Sequence, residues 1–574
     1  SYPMLDPNKQ PTVTLPTNAR KEAPPSHGLN HPSDSARSIE SPTHTDSLDL
    51  NMLGQPAWPI PKFLLAFAGL ALTMFLVCTA ETVSNQQLSD IASQMNTNIY
   101  SPWAASAFLL PCVMIQPVYI KLAEAFGRQW PLIAATLVFS VFSIMCGAST
   151  SFLAFVLGRG FQGVGGAGMM PLVLVVLTDI ATIRVRGFWL GIMGAVMIAA
   201  KWLGPVIGAA CLEHASWRWA YYYSAIGGLV AMAILFLTLR DLPRPPSALP
   251  RKARHFDYLG IILWLGGSVM ILLALAYGGN EFPWRSVTIV SLFVAGFLVI
   301  CIFGFVEYRF SQWPIIPLRL LTQPRVFISI VASGFIGMAM YTILFFVPVF
   351  YHAVRDMSNT AAAAQGLWTV LGGGFFAVVS GIAVRWTYNY RPFILAGTAL
   401  MAIGYGLMYT WTVQQNNAKE IDFQIIVGAG LGLCMQQVLL AGQAGLSLDE
   451  VATVTTLIDY SRTLGSMIGL VISEVVLKDQ VIKKLTTILS QFSFIPVVDL
   501  HYIDLVSLQT MLPALRKFSD SISIPVFNAL KDAINLTYAI NVAFAGIAFV
   551  LCLFLRTKNL LPDKCVKAGS SNSP

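Results

Sequence analysis

The feature that most limits this chain is a succession of apolar runs, each near bilayer-spanning length, divided by short hydrophilic loops. They fall at 63–80, 104–122, 131–148, 152–177, 188–212 and 219–239; then at 258–277 and 287–306; then at 326–351, 361–384, 393–412, 423–446, 457–477 and 534–555. A helix crosses roughly 30 Å of hydrocarbon with about 20 mainly apolar residues. Inside lipid the backbone must satisfy its own hydrogen bonds, and runs of this length do so as helices. The expected fold is therefore an all-α membrane protein of about 14 transmembrane helices. Its six-two-six spacing predicts two pseudo-symmetric six-helix bundles plus a two-helix insert. Carriers built from repeats hold substrate near the midplane, between the halves.

The domain boundaries follow. Residues 1–56, rich in Pro, Ser, Thr and charge, read as a disordered cytoplasmic tail without the apolar stretch of a signal peptide. The first bundle is expected at 57–240, the linker and insert at 241–310, the second bundle at 311–560 with a long, partly helical outer loop at 478–533, and a cytoplasmic tail at 561–574.

Composition excludes several classes. The chain is 55% hydrophobic and 11% charged, with mean hydropathy +0.66, whereas soluble domains carry about 25% charged residues. Its net charge of +8 does not imply nucleic acid, because the bases sit in loops after the even-numbered spans: Lys121 and Arg128, Arg184 and Arg186, Arg240 to Arg254, Arg309 to Arg325, Arg385 and Arg391, Arg556 and Lys558. Cytoplasmic loops hold that excess, which puts both termini in the cytoplasm. Of eight cysteines, seven lie in apolar runs without CxxC spacing, so neither a disulfide framework nor a metal site is expected.

Polar residues inside or beside the spans are the functional candidates, since an intramembrane charge costs several kcal/mol and usually faces a cavity or partner. Arg159 in Arg159-Gly-Phe-Gln162-Gly163 stands about 11 Å from the start of the fourth span. Lys201 stands about 20 Å along the fifth, where snorkelling to the interface is the alternative to facing a cavity. Glu81 ends the first span and Asn85 follows it. Similar depth suggests that Glu81, Arg159 and Lys201 form one network, net positive and unfavourable to cations. Gln436 and Gln437 offer uncharged hydrogen-bonding groups for ligand or helix packing. Asp459 with Arg462 has i,i+3 spacing for a local ion pair. In Lys121-Leu-Ala-Glu124-Ala-Phe-Gly127-Arg128, Gly127 allows a tight reversal and Glu124 with Arg128 reads as a conformational latch. Gly163, Gly204, Gly208, Gly465 and Gly469 permit close helix approach, and Pro205 bends its helix.

No GxxxxGK[ST], HExxH or GxSxG motif occurs, so the reading is a non-enzyme without ATP hydrolysis, drawing on a gradient, with no cofactor beyond a proton gradient.

These motifs resemble the major facilitator superfamily, in particular its fourteen-span drug/proton antiporter branch as found in fungi, over roughly residues 63–560. The Lys121–Arg128 loop looks like the family's first cytoplasmic signature, with Glu124 where Asp is usual. Arg159 to Ala167 is similar to the fourth-span signature, whose arginine is implied in proton coupling with Gln162. Gly204-Pro205-x-x-Gly208 resembles the antiporter signature, with Ala200 and Ala209 in place of glycines and Lys201 within it. Asp257-Tyr-Leu-Gly260, Gly278-Gly279 and Pro314-Ile-Ile-Pro317 look like the branch's insert, and Arg462-Thr-Leu-Gly465 also matches. The resemblance implies a monomeric, proton-coupled exporter of small amphipathic compounds in the plasma membrane, with the vacuolar membrane as alternative. Arg159, Gln162, Glu124 and Arg128 would serve coupling and gating; Glu81, Asn85, Lys201, Gln436 and Gln437 would bind substrate. The rival readings are a carrier of amino acids, siderophores or organic acids, and a non-transporting membrane sensor.

Overall fold

The computed structural model describes residues 58–84, 103–241, 257–279, 282–311, 316–412, 417–489 and 520–555, together with Gln87, Asp90, Ile91, Gln94, Met95 and Pro314. Both predicted tails, Asn85 and most of the 240–254 linker lie outside the described residues.

Fourteen long helices follow one another: α1 Ile60–Val83, α2 Trp103–Phe126, α3 Gln129–Ala148, α4 Phe152–Ile180, α5 Ile183–His214, α6 Trp219–Thr238, α7 Tyr258–Tyr277, α8 Val287–Arg309, α9 Pro324–Ala353, α10 Leu367–Thr387, α11 Arg391–Met408, α12 Asn417–Gln443, α13 Leu448–Leu489 and α14 Asp520–Leu553. Thirteen are long and apolar enough to cross a membrane. The exception is α13. It is long enough, but Asp459, Arg462, Glu474, Lys478, Asp479, Lys483 and Lys484 make it too polar to stand out by composition.

Local chemistry sets several of the ends. Ser151, Asp257 and Ser286 accept a backbone N–H three residues on and so cap α4, α7 and α8. Gly127, with φ 85°, makes the reversal from α2 to α3, and Tyr388, with φ 52°, makes its counterpart from α10 to α11.

The pairing of helices repeats between halves. In the first, α1 packs on α5 and α6, α4 on α2 and α3, and α3 on α6. In the second, α9 packs on α13 and α14, α12 on α10 and α11, and α11 on α14. Adding eight to each number converts one set into the other, as the pseudo-symmetry expected from the six-two-six spacing requires. The bundles meet along two equivalent seams, α5 on α10 and α2 on α13. The insert, α7 paired with α8, lies on the second seam: Trp264 Nε1 donates to the Met114 carbonyl at 3.0 Å and its ring stands 5.2 Å from that of Tyr460.

The segment 478–533, expected to be partly helical, is so in its described residues. The stretch read as outer loop is helical at both ends, α13 running on to Leu489 and α14 beginning at Asp520. Leu477, Val481 and Leu485, spaced by four, are buried, as are Val526, Leu530 and Ala533. This stripe packs α13 on α14 beyond the apolar run, and Lys484 bonds Asp532 at 2.6 Å.

Close approach depends on missing side chains. A Cβ on Gly465 would lie 2.1 Å from the Gly334 carbonyl oxygen, whereas one on Gly546 would meet nothing within 4 Å. Gly465→Ala should therefore cost about 1–3 kcal/mol as α9 and α13 are forced apart. Gly546→Ala should be neutral or slightly stabilising through helix propensity. Thermal unfolding of the two purified variants in detergent checks the contrast.

Candidate functional site

The site is assembled where three helices converge. A Cβ on Gly204 would lie 2.0 Å from Thr82 Oγ1, and one on Gly208 would lie 2.5 Å from the Val83 carbonyl, so α5 lies directly against the end of α1. That approach brings Lys201 of α5 to Glu81 of α1. Their side chains form an ion pair, with Lys201 5% and Glu81 3% exposed. Lys201 does not snorkel. Its ammonium also donates to the Tyr341 hydroxyl of α9 at 3.1 Å and lies 4.8 Å from that ring's centroid. Lys201 therefore bonds the second bundle as well as its own. Glu81 Oε2 takes the lysine; Oε1 is buried and has no hydrogen-bond partner among the described residues.

Arg159 is fully buried one helix away. Its Nη1 donates to Gln162 Oε1 at 2.7 Å and its Nη2 to the Ala80 carbonyl at 3.0 Å; Gln162 in turn donates to Ser143 Oγ at 2.7 Å. The guanidinium lies 4.6 Å from the Phe108 ring centroid and 5.8 Å from that of Tyr221. Among the described residues it has no carboxylate at ion-pair distance. This corrects the single network expected from depth. Arg159 holds the backbone beside Glu81, while Lys201 and Glu81 neutralise each other. Asp459 and Arg462 of α13 pair as their spacing predicts.

From the second bundle, Gln436 Nε2 contacts Met197 Sδ of α5 at 3.6 Å, and Gln437 Nε2 donates to Ser380 Oγ at 3.1 Å. Both Oε1 atoms are buried without partners among the described residues. Gln436 also covers Gly194, where a Cβ would come within 2.6 Å of its Cγ.

The expected latch is divided differently. Glu124 bonds Lys121 on its own helix at 2.8 Å and accepts from Thr453 Oγ1 of α13 at 3.0 Å, across the seam. Arg128 pairs with Asp179 at the end of α4, at 3.2 Å. The reversal at Gly127 directs the two side chains to different helices. At the opposite ends of the bundles, the Thr360 N–H donates to Glu213 Oε1 at 3.4 Å and Trp202 covers Gly366.

The remaining glycines separate backbones. A Cβ on Gly163 would lie 2.2 Å from the Phe108 carbonyl, and one on Gly469 would lie 2.5 Å from Met338 Cα. Pro205 sits inside α5. Sequence reasoning missed Tyr341, Ser143, Thr453 and Asp179 as partners, and also the buried Arg355–Glu420 pair, which Tyr351 supports with a 2.9 Å bond to Glu420. Only Glu420, an acid opening an apolar run, carried a signal.

A model of the Major Facilitator Superfamily matches residues 70–470. Efflux pump dotC of Dothistroma septosporum is 32% identical over 76% of this chain and 75% of its own length. Efflux pump FUS6 of Gibberella fujikuroi is 28% identical over 92% and 95%. Among solved structures, the proton:xylose symporter XylE aligns with TM-score 0.56 at 13% identity, covering 89% of this chain and 99% of that one. A bacterial homologue of the lysosomal transporter Spinster aligns with TM-score 0.51 at 15% identity, covering 87% and 97%. The chain is a multi-pass membrane transporter, and it belongs to the major facilitator superfamily.

Removing one member of a buried pair leaves an uncompensated charge and costs about 3–5 kcal/mol, whereas replacing both costs far less. Lys201→Gln and Glu81→Gln should each lower the unfolding temperature more than the double variant does. Thermal unfolding of the purified proteins, read as a double-mutant cycle, checks this.

Proposed function

We propose that the chain exports a small amphipathic organic compound across the plasma membrane, driven by a proton gradient, with a single chain as the working unit. The observation that carries this reading is the bond from Lys201 in one bundle to Tyr341 in the other, made beside a carboxylate whose second oxygen has no partner among the described residues. Alternating access requires the halves to part at one end while meeting at the other. The cross-seam contacts suit that. Glu124–Thr453 closes one end, Glu213–Thr360 with Trp202 on Gly366 closes the other, and Lys201–Tyr341 lies between. Individual hydrogen bonds contribute about 1 kcal/mol each, so either end can open without unfolding the core.

Glu81 is the group we assign to proton coupling. A proton on Glu81 removes the charge attraction that holds Lys201, and Lys201 is then free to follow Tyr341 as the second bundle moves. Arg159 and Gln162 keep the end of α1 in place while this happens, through the Ala80 carbonyl and Ser143. The pattern of basic loops supports a cytoplasmic position for the Glu124 end and for both termini. The direction, outward, is supported by the relatives named as efflux pumps.

Two measurements test the reading. Purified full chain in proteoliposomes should move an amphipathic compound faster when a pH gradient is imposed than when it is collapsed; binding without movement would indicate a sensor instead. A chain carrying Glu124→Cys and Thr453→Cys should lose transport on oxidation and regain it on reduction, while the unsubstituted chain, with its own cysteines, responds to neither treatment. Unchanged transport after complete cross-linking would remove the Glu124 end from the gating cycle.

A further inference from the structure

The pairings at the centre leave a pattern of unmet bonding. Lys201 directs its ammonium to Glu81 and Tyr341, and an ammonium has three donors. Near it, the ionised side chains of the core do not balance. Among the described residues, Arg159, Lys201 and Arg462 are three cations against Glu81 and Asp459, two acids, and Arg159 meets Gln162, the Ala80 carbonyl and aromatic faces. A cationic ligand brought to about 8 Å from one uncompensated charge is repelled by roughly 2 kcal/mol at an effective dielectric constant of 20. An anion gains by a similar amount.

The second bundle presents the opposite need. Gln436 and Gln437 are each 1% exposed, yet the carbonyl oxygen of each side chain lacks a donor among the described residues. A buried acceptor left so costs about 1–3 kcal/mol. Gln436 reaches α5 at Met197, four residues before Lys201, so its amide lies about one helical turn, or about 6 Å, along the axis from the ammonium's helix position. Lys201's donor, bonded to Tyr341, and Gln436, in contact with Met197, thus both lie where α5 meets the second bundle.

We propose that the exported compound is a weak organic acid whose carboxylate takes Glu81's place at Lys201 and Tyr341, while a hydroxyl or N–H at its other end donates to the Gln436 side-chain oxygen. The inference rests on the export reading above and adds the substrate class. Glu81 is the resident stand-in for the ligand carboxylate: it meets Lys201 through Oε2, and it gives the ammonium up when it takes the proton assigned to it above. Tyr341 donates to whichever carboxylate is present once the ammonium has turned to it. The aromatic face of Tyr341 accounts for the apolar body of the ligand.

The test uses three probes on one scaffold, 4-hydroxyphenylacetate, 4-hydroxyphenylacetamide and tyramine, which share the hydroxyl and differ in charge. In proteoliposomes of the full chain, above protein-free vesicles, the acid should move about 10-fold faster than the amide or the amine, a difference of about 1.4 kcal/mol. In thermal unfolding, the acid should stabilise Glu81→Gln more than the unsubstituted protein, because it supplies the partner Lys201 has lost, and should leave Lys201→Gln unmoved. The Lys201→Gln/Glu81→Gln double variant, which retains an uncharged pair, should unfold cooperatively and also show no response to the acid. If the amide or tyramine moves as fast as the acid, or the acid stabilises Glu81→Gln no more than Lys201→Gln, export stands and this inference falls. If none of the probes moves while the acid still stabilises Glu81→Gln, the site binds acids and the export reading falls. Neither movement nor stabilisation sinks both.

Discussion

An ionised group within a lipid-spanning bundle persists only if another group compensates it, and this one requirement organises the centre of the molecule. Lys201 and Glu81 are buried together because each alone would be prohibitive, and the pair draws α5 onto α1. Bringing them together requires Gly204 and Gly208, since any side chain there would collide with Thr82 Oγ1 or the Val83 carbonyl. The ion pair and the glycines are thus one device: the glycines set the distance and the charges fix the register. Arg159 meets the same requirement without an acid among the described residues, spreading its charge over a carbonyl, an amide and two aromatic faces.

Charge compensation within a bundle makes it rigid; compensation between bundles would lock them. The distribution here keeps the two apart. The strong pairs, Glu81–Lys201, Arg128–Asp179, Asp459–Arg462 and Arg355–Glu420, each lie within one half. The bonds that cross the seams at Lys201–Tyr341, Thr453–Glu124 and Thr360–Glu213 have a neutral partner in every case. Two halves joined this way can exchange contacts at a cost of a few hydrogen bonds, without exposing an unpaired ion to lipid.

Much of this was legible in the sequence, for reasons that can be named. Apolar runs of spanning length report helices because lipid leaves the backbone no other choice, and a charge inside such a run reports a compensated site. Lys201, Arg159 and Glu81 were found that way, and counting residues along straight helices put them at similar depth. Partners were not legible. Tyr341 looks like any aromatic in an apolar run, and the exchange of Arg128 from Glu124 to Asp179 depends on the direction that Gly127 gives the turn. The single network did not form because depth along a helix says nothing of azimuth: Lys201 reaches the Glu81 carboxylate of α1, whereas Arg159 turns to the Phe108 ring and to the Ala80 backbone carbonyl of the same helix. The continuation of α13 past Lys478 was carried by a four-residue stripe at Leu477, Val481 and Leu485 within a charged segment, where hydropathy alone reports a loop.

The insert makes the two seams unequal. On the α5–α10 seam, Gly191 lies where a Cβ would meet the Ala377 carbonyl at 2.6 Å, and Gly381 and Gly187 face each other, so two smooth backbones are in contact. On the α2–α13 seam, Trp264 of the insert bonds the Met114 carbonyl of α2 and packs its ring against Tyr460 of α13, and Lys478 of α13 donates to the Gly279 carbonyl at the end of α7. Smooth contact resists separation weakly and allows sliding, because no side chain has to leave a groove. A bridging tryptophan does the reverse: parting α2 from α13 requires Trp264 either to give up its bond to α2 or to leave Tyr460. Relative movement of the halves therefore meets less resistance along α5 and α10 than where Trp264 bridges α2 and α13.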